Sequence, residues 1–108
     1  QLESKGEGFC LVYTPHTTAA LVIAESEGDL MHDYARMAAR LLGPSGPFRH
    51  CGHGIPNAEA HLFGALCGCS VLATITEDGR LRLGTFQRII LIECDGPRQR
   101  KVWISTST

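Results

Sequence analysis

The chain begins polar over residues 1–7, and its first apolar run is Phe9-Cys10-Leu11-Val12-Tyr13. Short runs of apolar and β-prone residues of this kind read as strands. Pro15 interrupts the run, and Thr17 to Ile23 is a second extended stretch. His16 therefore sits at a break between two strands. Glu25 to Asp29 is a charged turn containing Gly28. From Leu30 the period changes: Leu30, Tyr34, Met37, Ala38 and Leu41 recur every three to four positions. That spacing predicts a helix with one buried face, capped by Asp29 and ending at Leu42 or Gly43 before Pro44. Residues 43–56 have no period and form a long loop holding His50 and His53. Long irregular loops in small domains are commonly functional. Asn57 is placed to cap a second, short helix running to about Leu66, with Leu62 and Leu66 toward the core and Gly68 ending it. Asn57 and His61, four apart, share one face near its start. Strand patterns then return. Ser70 to Thr76 is a strand, Glu77-Asp78-Gly79 a hairpin turn, and Arg80 to Leu83 the returning strand. Gly84 marks a break, Arg88 to Cys94 an isoleucine-rich strand, Asp95-Gly96-Pro97 a turn, and Lys101 to Thr106 the last strand.

The pattern amounts to five or six strands with two helices inserted among them: a mainly β chain forming one domain over residues 1–108. No β-α-β alternation is present, which argues against a parallel nucleotide-binding sheet. Composition agrees, with 44 % hydrophobic and 19 % charged residues, a globular balance slightly poor in charge that leaves room for a subunit interface. A net charge of -1 gives no general attraction to nucleic acid. The densest basic group, Arg98, Arg100 and Lys101, is enough to hold one phosphate. No apolar run approaches the roughly 18 residues of a membrane helix, and no secretory signal opens the sequence, so neither a membrane partner nor export is expected. The five cysteines are an odd number. A reduced, cytoplasmic setting is the simplest expectation, with Cys10, Cys67, Cys69 and Cys94 packed as small apolar residues.

Candidate chemistry gathers around the histidines. In His16-Thr17-Thr18 an imidazole and two hydroxyls follow a constrained Pro15, a pattern able to bind phosphate or orient a polar substrate. The plainer reading is an edge threonine pair beside an exposed histidine. His50, His53 and His61 offer three imidazoles, a number that can hold a zinc or related ion. No H-E-x-x-H or Cys-x-x-Cys motif accompanies them, and a structural hydrogen bond from His61 to the long loop is the alternative. Glu25, at a strand end, suits a base, a residue orienting histidine, or a solvated turn. Asp33 lies one helical turn from Asp29. Gln87 could offer its amide to a substrate. Arg98 and Arg100, two apart, project to one side if the segment is extended and could grip phosphate, or form a solvated cluster.

The segments Pro15-His16-Thr17-Thr18-Ala19, Glu25 with Asp33, Arg49-His50, Asn57-Ala58-Glu59-Ala60-His61-Leu62, Asp78-Gly79-Arg80-Leu81, Leu83-Gly84-Thr85-Phe86-Gln87 and Asp95-Gly96-Pro97-Arg98-x-Arg100, in this order and with these gaps, resemble the YjbQ family, also called secondary thiamine-phosphate synthase. The resemblance spans almost all of residues 9–104. It implies a β-sandwich with two inserted helices, assembled as a homotrimer. It also implies a polar cavity near the subunit boundary that involves His16, His50 and His61. Glu25 joins them as a catalytic candidate, and Thr17, Thr18, Asn57, Gln87, Arg98 and Arg100 as binding candidates. A divalent metal, Zn or Mg, on His16, His50 and His61 is part of the same expectation. The implied activity is a weak transfer that joins an aminopyrimidine diphosphate to a thiazole phosphate and releases pyrophosphate. The alternative is a non-catalytic oligomer that binds phosphate or metal. The chain departs from the family pattern at Ala24, where asparagine is usual, and at Phe86, where tryptophan is commoner. Members also carry further residues before the Gly8-Phe9 strand, forming one or two strands, so the domain reads as shortened at its N-terminus.

Overall fold

The computed structural model describes residues 7–50 and 57–107. Among these, five strands and two helices follow the chain in the order β1 (Gly8–Tyr13), β2 (Ala19–Ala24), α1 (Gly28–Leu42), α2 (Ala58–Cys67), β3 (Ser70–Ile75), β4 (Arg88–Glu93) and β5 (Trp103–Ser107), with one 3-10 turn at Gly43–Ser45. The mainly β architecture with two inserted helices is as the pattern predicts. The strands form two antiparallel sheets, ordered β3-β1-β5 and β2-β4. Alternation along β1 turns Cys10 and Val12 inward, where they meet Leu21 of β2 and Ile75 of β3, with Val71, Leu81 and Ile89 packed around them. This small core is the sandwich interior.

Several elements differ from the pattern-based expectation. The returning strand over residues 80–83 reduces to a single bridge between Ile75 and Leu81. Beyond it the Leu83 amide donates to Leu81 O, and Gln87 N and its Oε1 close a turn on Gly84, so the backbone curls away before a ladder can extend. The cap of α1 is Glu27, whose carboxylate accepts from the Asp29 and Leu30 amides, two residues ahead of the expected Asp29. Helix α1 has no fully buried residue. Leu30, Tyr34, Ala38 and Leu42, one row at four-residue spacing, are half-buried, while Met37 and Leu41 of the adjacent row are exposed. In α2 the residues against the sheet are Ala58, Ala60 and Gly64, whereas Leu62 and Leu66 face outward. Small residues win this face because the helix approaches the backbone closely: a Cβ on Gly64 would lie 2.8 Å from Thr17 O and 3.3 Å from Ala19 O. Cys10 is buried and Cys67 and Cys94 half-buried, but Cys69, expected in the core, is exposed. Its carbonyl accepts from Thr14 N, which turns the residue to the rim.

Candidate functional site

The site is built by the connector between β4 and β5. Antiparallel pairing of β2 with β4 sets Ala19 opposite Glu93 and Ala24 opposite Arg88, and Cys94 N donates to Thr18 O one step further along. The chain that leaves β4 therefore passes beside the Thr17-Thr18 turn. Helix α2 lies against that turn through Gly64, which brings Asn57 and His61 to the same end of the sandwich.

Asp95 is the hub. Its Oδ2 accepts from Asn57 Nδ2 at 3.1 Å and from Arg98 Nη2 at 3.0 Å, and its carbonyl accepts from Arg98 Nε at 2.8 Å. Asn57 is at the N-cap position of α2 but makes no capping hydrogen bond. Its amide is turned instead to the site, where Oδ1 lies 3.0 Å from His50 Nε2. A carboxylate accepts only, so Asn57 must present Nδ2 to Asp95 and Oδ1 to His50. His50 Nε2 is then the donor to Asn57 Oδ1, which in a neutral ring makes Nδ1 the acceptor. The His61 ring meets the His50 ring edge-to-face, with centroids 4.6 Å apart and planes at 71°.

A second, drier cluster lies alongside. Arg100 donates from Nε to Glu93 Oε1 at 2.6 Å and from Nη2 to Glu93 Oε2, and its Nη2 also reaches Thr18 O at 3.1 Å and Thr18 Oγ1 at 2.9 Å. The Arg100 side chain is only 7 % exposed. Its guanidinium holds the Glu93 carboxyl down at about 2, and the carboxylate in turn raises Arg100. This arginine fastens β4, the Thr18 turn and the connector together. Arg98, at 51 % side-chain exposure, keeps guanidinium surface open to solvent. The two arginines thus divide the work, rather than gripping one phosphate as a pair.

His16 stands apart from the His50–His61 pair in its bonding. Its Nε2 accepts from Lys101 N at 2.8 Å, so that nitrogen is engaged by the backbone. Thr18 is buried and Thr17 exposed. Glu25 and Gln87 lie at the other end of the β2-β4 sheet: continuing the register beyond Ala24 and Arg88 sets them opposite each other. Seven residues of extended chain separate Glu25 from Thr18, roughly 23 Å. Within one chain, then, His50, His61, Asn57 and Arg98 come together, Thr18 and Arg100 form the adjoining strut, and Glu25 and Gln87 do not join them. Asp33 is exposed on α1, and His53 and Cys51 fall outside the described residues. Sequence reading missed Asp95 and Glu93. Asp95 looks like an ordinary turn residue before Gly96-Pro97, and Glu93 like the polar end of a strand.

A divalent metal would need donors gathered within bonding reach. Among the described residues no group of three or more His, Cys, Asp or Glu side chains is so placed. The described residues offer His50 and the neighbouring His61, fewer protein ligands than zinc sites ordinarily have.

The whole chain, residues 1–108, matches the family described as UPF0047 protein YjbQ-like. The chain belongs to this family. A UPF0047 protein of Archaeoglobus fulgidus is 46 % identical over 96 residues, covering 89 % of this chain and 75 % of the relative. UPF0047 protein YugU of Bacillus subtilis is 38 % identical over 100 residues, covering 90 % of this chain and 72 % of its own length. Among solved structures, a hypothetical protein from Aeropyrum pernix K1 superposes with a TM-score of 0.86 at 41 % identity, covering 95 % of this chain and 75 % of that one. A YjbQ/UPF0047 family protein from Clostridium acetobutylicum gives 0.83 at 34 % identity over 94 % of this chain and 77 % of its own. At these identities the agreement in backbone confirms the YjbQ-like fold. No helix among the described residues is long and apolar enough to cross a membrane.

Proposed function

We propose that the His50, His61, Asn57 and Arg98 end of this YjbQ-like domain binds a phosphorylated small molecule. The observation that carries the reading is the Asp95–Asn57–His50 chain. It fixes one imidazole beside a second imidazole, and the same Asp95 orients a half-exposed arginine. Arg98 supplies the cation for phosphate oxygens, and the imidazole pair supplies polar contacts, with the His50 ring oriented in advance by Asn57. Arg100 is not part of the grip, because Glu93 and Thr18 occupy its Nε and Nη2 donors and the side chain is nearly buried.

Transfer of the thiamine-phosphate-synthase kind would use the same place. The thiazole nitrogen is itself the nucleophile, so no covalent protein group is required. What the protein must do is steady the departing pyrophosphate, and Arg98 beside the His50 and His61 imidazoles would do so. In the homotrimer that the resemblance implies, Glu25 and Gln87 would approach a histidine pair from a neighbouring subunit. The outer face of the β3-β1-β5 sheet carries Phe9, Leu11, Leu72 and Trp103, all 41–59 % exposed, an apolar surface of the kind that subunits cover. The deciding experiment is calorimetric titration with inorganic pyrophosphate, alongside turnover of the pyrimidine diphosphate and thiazole phosphate pair. Saturable binding that weakens at least tenfold in both His50→Ala and Arg98→Ala supports the site. Binding unchanged in both variants refutes it, and turnover lost with binding retained in His61→Ala would place His61 in the transfer step.

A further inference from the structure

We infer that His16 is a positioning residue: together with Thr14 it clamps the backbone of Lys101, and so holds the connector that carries Asp95 and Arg98. Strands β1 and β5 pair antiparallel from Phe9 opposite Ser107 to Tyr13 opposite Trp103. Two residues further, the same register sets Pro15 opposite Lys101. A proline has no N–H to give, so the Lys101 carbonyl loses its ladder donor there, and the β1-β5 pairing ends at Tyr13 and Trp103, before the Lys101 amide is taken up by it.

The residues on either side of Pro15 make up the loss with side chains. Thr14 Oγ1 donates to Lys101 O at 2.9 Å, and His16 Nε2 accepts from Lys101 N at 2.8 Å. Thr14 is 1 % exposed, and its own amide donates to Cys69 O at 2.9 Å, so the hydroxyl is held from behind. Both polar groups of Lys101 are satisfied although β5 begins only at Trp103. The main chain of residues 14–18 is free to leave the first sheet and cross to β2, while the connector stays pinned. Arg100 adds the next fastening, through Thr18.

The chemistry of the contact decides the role of the ring. A nitrogen that accepts from a backbone N–H is unprotonated, so the His16 proton resides on Nδ1. Nε2 is thereby taken up by Lys101, and the imidazole acts on the candidate site through the connector rather than by contact with ligand. This inference bears on the site proposed above, but its first readout needs no ligand.

The test is residue-resolved amide exchange on the full chain, with His16→Gln and His16→Leu. A glutamine Oε1 reaches about as far as the imidazole Nε2 and can accept the same bond, whereas leucine cannot. In the unaltered protein the Lys101 amide should be protected. His16→Gln should keep that protection within a few-fold, and His16→Leu should speed exchange at Lys101 by about tenfold or more, the scale of one lost hydrogen bond. If the leucine variant does not fold, His16→Asn, whose shorter amide falls short of Lys101, takes its place. An unprotected Lys101 amide in the unaltered protein, or exchange there that ignores the leucine change, overturns the clamp. Pyrophosphate titration separates the roles: His16→Gln retaining the parent affinity supports positioning, and a tenfold loss in that variant with Lys101 still protected would make His16 a ligand contact and overturn the assignment. Should the parent protein not bind pyrophosphate, the proposed function fails, and the exchange data alone still judge the clamp.

Discussion

Replacing Glu93 by glutamine removes the charge on which the Arg100 strut rests. Arg100, 7 % exposed at its side chain, would retain only the two Thr18 oxygens and a neutral amide oxygen as acceptors. The magnitude follows from the carboxyl, which the guanidinium holds at about 2 against an ordinary 4.5. At about 1.4 kcal/mol per pH unit, that depression corresponds to about 3 kcal/mol of preference for the ionised form in the folded state. Glu93 is 31 % exposed, so solvent screening reduces this to roughly 2 kcal/mol at neutral pH. The sign of the pH dependence is fixed by the direction of the shift. A carboxyl lowered by folding contributes its full stability above the unfolded value of 4.5 and loses it as the pH falls through about 2. The assay is urea unfolding of parent and Glu93→Gln at pH 7, 5, 4 and 3, comparing the difference in stability at each pH. It should be about 2 kcal/mol at pH 7 and pH 5 and shrink steadily below pH 4.5, where the parent begins to lose what the variant never had. A difference that stays constant down to pH 3 would show that the Glu93 carboxylate gains nothing from Arg100, and would sink the strut.

Three further outcomes are expected. Gly64→Ala should destabilise by about 1–2 kcal/mol in urea unfolding, because the steric cost of pushing α2 off backbone oxygens exceeds the gain of about 1 kcal/mol in helix propensity; an alanine variant as stable as the parent would mean that α2 is not seated on Thr17 and Ala19 as described. Glu27→Ala removes the acceptor for the first amides of α1 and should cost about 1 kcal/mol, read as earlier loss of helical circular dichroism on heating, with no change counting against the cap. Under limiting iodoacetamide at pH 8, peptide mapping should find Cys69 modified ahead of Cys10, Cys67 and Cys94, since burial raises the last three thiols; comparable labelling of Cys10 would contradict its place in the core.

The strands and both helices are legible in the sequence because period and punctuation are local properties: the β1 run ends at Pro15, the α1 row repeats every four residues, and Gly68 stops α2. What is not legible is which side of an element another element approaches. Leu62 and Leu66 repeat like a core face, yet the sheet takes Gly64, because a close approach selects for the side chain that is missing. The same limit governs the site. His50, His61 and Asn57 can be picked out as chemically able residues on a loop and a short helix. Their roles depend on Asp95, 38 residues from Asn57, which no spacing rule connects to them. Arg98 and Arg100 look equivalent at two-residue spacing, and only the positions of Asp95 and Glu93 make one a half-exposed cation and the other a fastening. Pro15 is the exception that joins the two levels. Its lack of an N–H is a property of the sequence, and once the register sets it opposite Lys101 the Thr14 hydroxyl stands in as the donor to the Lys101 carbonyl, while His16 takes up the Lys101 amide. A histidine beside a strand-breaking proline is therefore ambiguous until the register is known. Here the register turns one of the ligand candidates into a residue that holds the chain on which Asp95 and Arg98 are carried.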